Sequence, residues 1–171
     1  MVNQYVEIMS LHQNDTSELL DCCIRVSEED FSVQHEYQAM IENNPRDGAV
    51  VFFVGLVRDF NQGNKVSGLT LEHYPAMTEK ALQAIIQKAK QRWSLGRVRL
   101  VHRVGRLRIN DQIVFVAVSS KHREDAFSAA QFIMDYLKTE APFWKKEVTE
   151  RGERWVEAND KDQQAREHWS S

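Results

Sequence analysis

The chain has 171 residues, of which 42% are hydrophobic and 27% charged, with a formal net charge of −3. That length and apolar content suit one domain with a core of its own and no need of disulfides. The slightly negative balance excludes a general polyanion binder, so any site for an anion must be local.

The first 20 residues are polar and weakly patterned. They read as an N-terminal extension, disordered or weakly helical, ahead of one domain over 21–171. MVNQYVEIMSLHQND lacks the basic start and apolar stretch of a signal peptide, and no apolar run reaches membrane-span length, so the expected location is the cytoplasm. Cys22 and Cys23 are adjacent and too few for a disulfide framework, so a structural role is expected. CIRVS reads as a short strand. Ser32 is placed to cap a helix with Val33, Tyr37, Met40 and Ile41 on its apolar face, and Asn44-Pro45 and Asp47-Gly48 end it.

The longest apolar run, AVVFFVGLV at 49–57, predicts a buried strand, and DFNQGNKVSG after it a polar loop. Leu69 and Leu71 alternate with Thr70 and Glu72 in a half-buried strand. Pro75 ends that strand. Thr78 is placed to cap a helix to about Trp93, with Leu82, Ile85, Ile86, Ala89 and Trp93 as its apolar stripe. Strands over 97–104 and 113–119 follow, joined through GRLRIND. A second long helix is predicted from about Lys121 to Lys138. Ser120 serves as its cap, Glu124 and Asp125 lie at the positive end of its dipole, and Phe127, Ala130, Met134 and Leu137 form its core stripe. Pro142 stops it, EVTERGERWVE reads as a hairpin about Arg151-Gly152, and the tail from Asp160 is polar. Mixed elements with short connections predict an α+β fold with a largely antiparallel sheet. No GxGxxG, GxxxxGK[ST], GxSxG or CxxC pattern occurs, which leaves nucleotide-loop, nucleophile-elbow and zinc chemistry without support.

The stretch DYLKTEAPFWKKE, residues 135–147, sets lysines among aromatic rings. Lys138 continues the helical line of Phe127 and Met134, and the turn at TEAP brings Lys145 and Lys146 back towards it. One reading is a helix end whose lysine stems snorkel over apolar surface, with Glu147 as counter-ion. The other is functional. Repulsion between amines, and partial burial against Phe143 and Trp144, lower the pKa of one lysine until it serves as acid, base or nucleophile. His122-Arg123 opens the same helix and is either an anion site or an ordinary surface pair. Arg58 directly follows an apolar strand, and either points into a cleft or pairs with Asp59 at a rim. His73 and His102 lie on strand patterns and read as structural.

The segments DGAVVFFVGLVRDFN, LTLEHYPAMTEKAL, RVRLVHRVGRL, KHRE, QFIMDYLKTEAPFWKKE and RWVEAND, in that order over about 22–165, resemble the large, catalytic subunit family of molybdopterin synthase. The resemblance implies an α/β hammerhead-type fold with a small added antiparallel subdomain. It implies a sulfurtransferase that converts cyclic pyranopterin monophosphate to the molybdopterin dithiolene, in molybdenum cofactor biosynthesis. Sulfur would arrive as a thiocarboxylate on the C-terminal glycine of a small ubiquitin-like subunit. The large subunit would be a homodimer within a heterotetramer. No metal or resident cofactor is implied, because the pterin is substrate. The resemblance assigns catalysis to Lys138 and its companion Lys145, and substrate contacts to Phe53, Leu56, Val57, Arg58, His122, Arg123, Met134, Lys146 and Glu147. Leu56 stands where a lysine often precedes Val57-Arg58, which leaves backbone or apolar contact there. Asn159 stands where some relatives carry an arginine that reaches the neighbouring subunit's site. Two alternatives stand beside this: a non-catalytic scaffold for the ubiquitin-like carrier, and a lysine Schiff-base enzyme of another pathway.

Overall fold

The computed structural model describes residues 21–61, 64–150, 152–156 and 160–170; the expected N-terminal extension, Arg151 and Asn159 lie outside them. In chain order the elements are β1 (Cys22–Ser27), α1 (Val33–Ile41), β2 (Ala49–Leu56), β3 (Phe60–Asn61), β4 (Asn64–His73), α2 (Pro75–Arg92) and β5 (Leu95–Arg103). Then come β6 (Gly105–Arg108), β7 (Gln112–Ser120), α3 (Arg123–Glu140), β8 (Phe143–Thr149), β9 (Gly152–Val156), α4 (Asp160–Glu167) and a 3₁₀ turn (His168–Ser170).

Two sheets result. The first runs β1-β5-β7-β2, and its β1–β5 pair is parallel while the others are antiparallel. The second runs β3-β4-β8-β9, with β6 on the other edge of β4, all antiparallel. β7 explains how the first sheet is covered. Val114, Val116 and Val118 point to one face, and Phe115 and Ala117 to the other. Both sets are buried, so the strand reads as an unbroken apolar run. On the valine side, Leu82, Ile85 and Ile86 of α2 and Ala129, Phe132 and Ile133 of α3 complete the main core. On the other side, Phe31 and Met40 pack against Val101, Phe115 and Ala117. A third, small core of Val57, Leu69, Leu71 and Leu107 ties the end of β2 to the second sheet.

Several boundaries differ from the sequence reading. The predicted loop DFNQGNKVSG is mostly strand: β3 and β4 pair as a hairpin, Phe60 with Lys65. Its polar residues tolerate pairing because the hairpin sits at a sheet edge. GRLRIND likewise holds a strand, β6, which Gly105 starts at φ +77°, a backbone conformation glycine adopts without strain. The run at 49–57 is an edge strand, and Phe52, Phe53 and Leu56 on it are exposed. Helix α2 begins at Pro75, whose missing N–H costs nothing at a first turn. Thr78 is then inside the helix, buried, with its hydroxyl donating to the Tyr74 carbonyl (3.0 Å). Helix α3 starts at Arg123 with His122 at the cap, while Ser120 closes β7 and donates to the Ser94 carbonyl (2.9 Å).

Periodicity also misplaced three side chains. Phe127 is 63% exposed, because the buried face of α3 is carried by Ala126, Ala129, Ala130, Ile133 and Leu137 instead. In α1, Tyr37 and Ile41 are exposed and Glu36 takes the inner face. Its carboxylate is bonded by Arg25 (2.7 Å) and Arg99 (2.8 Å), and that pairing lets a charge sit where a hydrophobe was expected. Among the described residues, no helix is long and apolar enough to cross a membrane.

Phe132 is 1% exposed and meets Trp93, Tyr136 and Trp169 with its ring. Phe132→Ala is expected to lower the free energy of unfolding by about 3–5 kcal/mol, measured as a fall in the urea midpoint at unchanged slope.

Candidate active site

Three segments meet near the C-terminal end of α3. Lys138 occupies the last turn of that helix, where a cation suits the negative end of the dipole. The chain then breaks at Ala141-Pro142, and β8 runs back beside β4, pairing Lys145 with Leu71. Alternation puts Phe143, Lys145 and Glu147 on one face of β8 and Trp144 and Lys146 on the other. Arg58 arrives from the end of β2, fixed by Val57 in the small core. The Lys145 ammonium feels Glu147, Lys138, Asp162 and Arg58 together. Its pKa is held below the usual lysine value chiefly by burial; Glu147 opposes the lowering, and repulsion from Lys138 and then Arg58 adds to it. Much of the Lys145 side chain remains open to water, so protein crowds the charge from one side only. The lowered amine is Lys145, with Lys138 among the causes.

Two carboxylates face these cations. Glu147 is 4% exposed and accepts from Arg154 Nε (3.2 Å) and Nη2 (2.9 Å). Asp162, on α4, accepts from Lys138 at 3.4 Å. Behind the lysines lies an aromatic floor. His102 stacks on Phe143 at 3.9 Å, and Phe143 on His73 at 6.0 Å. His102 donates Nδ1–H to the Arg103 carbonyl (2.8 Å), which leaves Nε2 as the bare nitrogen of a neutral ring. Its pKa is lowered to about 4, first by burial and further by Lys145 and His73, against the carbonyl hydrogen bond. Thr78 spends its hydroxyl proton on Tyr74, so His73 donates to Thr78 Oγ1 (3.3 Å). Burial lowers its pKa too. A charged imidazole here would be one more cation beside Lys145.

The remaining expected contacts divide by place. Met134 is half-buried one turn before Lys138. Val57 is buried, its N–H donates to the Asp111 carbonyl (3.0 Å) and its carbonyl accepts from Asn110 (2.9 Å). Phe53 and Leu56 are exposed on the edge strand. Lys146 lies across the sheet from Lys145, bonded to Glu153 (2.9 Å) and over the Trp155 ring (5.0 Å). His122 and Arg123 sit at the opposite end of α3, about 22 Å from Lys138 along the axis. There, with Lys121 and Gly48, they line a cavity of about 460 Å³. A larger concavity, about 620 Å³, runs along the second sheet beside Arg103, Arg106 and Arg108 and does not include the lysines. Among the described residues, no group of His, Cys, Asp and Glu could hold a metal ion. Sequence reasoning missed Asp162, Arg154 and the closeness of His102. Each reaches the site through sheet register or helix docking, and no local pattern marks such a contact.

A family model described as MoaE protein matches residues 26–140. The molybdopterin synthase catalytic subunit of Escherichia coli strain K12 is 58% identical over 146 residues, covering 85% of this chain and 97% of that one. The solved molybdopterin biosynthesis MoaE protein from Burkholderia ambifaria is 51% identical, with a TM-score of 0.75 over 86% of this chain and 97% of that one. A chain in a protein–protein complex of subunits 1 and 2 of molybdopterin-converting factor from Helicobacter pylori shares the fold, with a TM-score of 0.66 and 20% identity over 78% of this chain and 90% of that one.

The low pKa of His102 has a consequence for acid stability. Its folded value is below its ordinary 6.5, so the unfolded chain binds the proton first as pH falls. The stability is complete above 6.5 and is lost down to about 4. Over that window His102→Leu should lose up to about 3 kcal/mol less stability than the unsubstituted chain, measured by denaturant melts at stepped pH.

Proposed function

The chain belongs to the MoaE family, and from that premise we propose that it is a catalytic sulfurtransferase subunit of molybdopterin synthesis. It takes sulfur from the C-terminal thiocarboxylate of a small ubiquitin-like subunit and places it on cyclic pyranopterin monophosphate, building the dithiolene in two additions. The observation that carries this reading is the gathering of Lys138, Lys145 and Arg58 from three separate elements into one neighbourhood. Both reactants are anionic where they react or bind: a thiocarboxylate on one, a phosphate on the other. A cluster of cations recognises both.

The roles follow from the geometry. Arg58 and the lysine ammonium groups bind and orient the anions. Lys145, with its lowered pKa, releases and regains a proton more readily than an ordinary lysine, as general acid and base chemistry on the pterin side chain requires. Lys138 stabilises the thiocarboxylate as sulfur leaves. Glu147, locked by Arg154, keeps Lys145 aimed from its own face of β8. Burial keeps His102 neutral and limits the total positive charge. No resident cofactor is called for; the pterin is substrate.

The reading includes a dimer of large subunits with a small subunit at each end. A pterin of ordinary size cannot span from Lys138 to His122-Arg123 within one chain, so that second anion-binding end serves a site completed by another copy. Exposed Phe53, Leu56 and Phe127 offer apolar surface for the pairing. The protein works in the cytoplasm, a reducing compartment in which neighbouring cysteines such as Cys22 and Cys23 do not form a disulfide framework.

Lys138→Ala, mixed with thiocarboxylated small subunit and pterin precursor, should form dithiolene product about 10²–10⁴ times more slowly, with its melting temperature and dimerisation retained. Full activity in that variant contradicts the reading, and so does an unsubstituted chain that binds the small subunit and makes no product.

A further inference from the structure

The polar segment after Asp160, which the sequence marks only as a tail, folds as a helix against the end of α3. DKDQQARE has no apolar face with which to pack. Its position comes from specific clamps instead. Trp169 donates Nε1–H to Asp135 (2.8 Å) and sets its ring edge-on to Trp93 and Phe132. Arg92 of α2 donates to the Trp169 carbonyl (2.6 Å). Arg166 bridges Glu140 (2.9 Å), which Lys88 of α2 also bonds, and lies over the Tyr136 ring. Every one of these ties is to α2 or to the last turns of α3. They fix α4 where Asp162 reaches the Lys138 ammonium.

We propose that Asp162 is a positioning residue of the lysine site: its carboxylate holds the Lys138 ammonium in place and screens the cation cluster until an anionic substrate group takes its position. This rests on the sulfur-transfer reading for its substrate, though not for the contact itself. The groups facing the lysines come from several elements: Glu147 from β8, Arg58 after β2, His102 from β5 and Asp162 from α4. The two carboxylates are not equivalent. Glu147 is buried and held by a guanidinium, so it cannot leave. Asp162 is on the open side: its side chain is 32% exposed and that of Lys138 53%. A 3.4 Å ion pair at that exposure is weak enough to exchange. Replacing one carboxylate by an incoming carboxylate or phosphate conserves local charge, so Lys138 stays oriented while the substrate enters. Asp162 also attracts the Lys145 ammonium, so removing its charge with no anion in its place lowers the pKa of that amine.

The test uses the full chain and inorganic phosphate as probe, with the Lys145 side-chain resonances as readout. In Asp162→Asn, phosphate should bind at those resonances about threefold more tightly, the size expected from removing one partly exposed counter-charge. Lys145 should titrate at lower pH than in the unsubstituted chain. Asp162→Glu, which keeps the charge, should restore both. In the sulfur-transfer assay Asp162→Asn should lower KM and kcat together, because binding gains what orientation loses. Unchanged phosphate affinity and an unchanged Lys145 titration in Asp162→Asn overturn the inference. Phosphate binding and titration need no turnover. If both shift while the unsubstituted chain makes no product, the sulfur-transfer reading fails and this one stands; if product forms and neither shifts, this one fails alone.

Discussion

Everything at the site depends on holding Lys138, Lys145 and Arg58 together against their own repulsion. Like charges gathered near a protein surface repel, and water around them weakens the repulsion without removing it. The fold resists this by anchoring each cation to different packing. Arg58 follows Val57, which is locked in the small core with Leu69 and Leu71. Lys138 is fixed by the main core through Ile133 and Leu137. Lys145 is held by seven register positions between β4 and β8. Packing and register set the backbone at each of the three, while the exposed ends of their side chains keep rotamer freedom. Burial is the main reason the Lys145 pKa is low, and repulsion from Lys138 and then Arg58 adds to it.

The rest of the site moderates this charge. Glu147 supplies a fixed anion, tied to Arg154 across the β8–β9 ladder. His102 contributes no charge, because its burial under Phe143 disfavours the imidazolium. Asp162 supplies an anion that can leave. The floor is thus rigid and neutral while the rim carries charge, an arrangement that places an anion beside an amine able to move a proton. The opposite end of α3 sets His122 and Arg123 beside a cavity of their own, which Glu124 also lines.

The fold class was legible because it depends on alternation and helical periodicity. Leu69 and Leu71, the stripe of α2 and the run from Val114 to Val118 each declare a buried face. What failed was anything decided by neighbours. The apolar face expected on α1 did not include Glu36, which Arg25 and Arg99 allow to be buried. Phe127 looked like core because it fits the period, yet the alanines beside it give α3 its close approach to the sheet. Lys138, Lys145 and Arg58 were legible as candidates because amines among aromatics, and a charge at a strand's end, are unusual placements. Their nearness to Asp162 and His102 was not, since it arises from the docking of α4 and from the stacking of Phe143, which no local pattern encodes. Lys146 shows the same limit from the other side: strand parity sends it to the face opposite Lys145, although the two are adjacent in sequence.

The most direct test of this account is a crystal structure of the chain with the small partner subunit's C-terminal tail bound. The account predicts the terminal carboxyl group within hydrogen-bond distance of the Lys138 amine, with the Lys145 amine and Arg58 on the same side of it. A tail that ends elsewhere, with those amines turned away from it and no anion between them, contradicts the account.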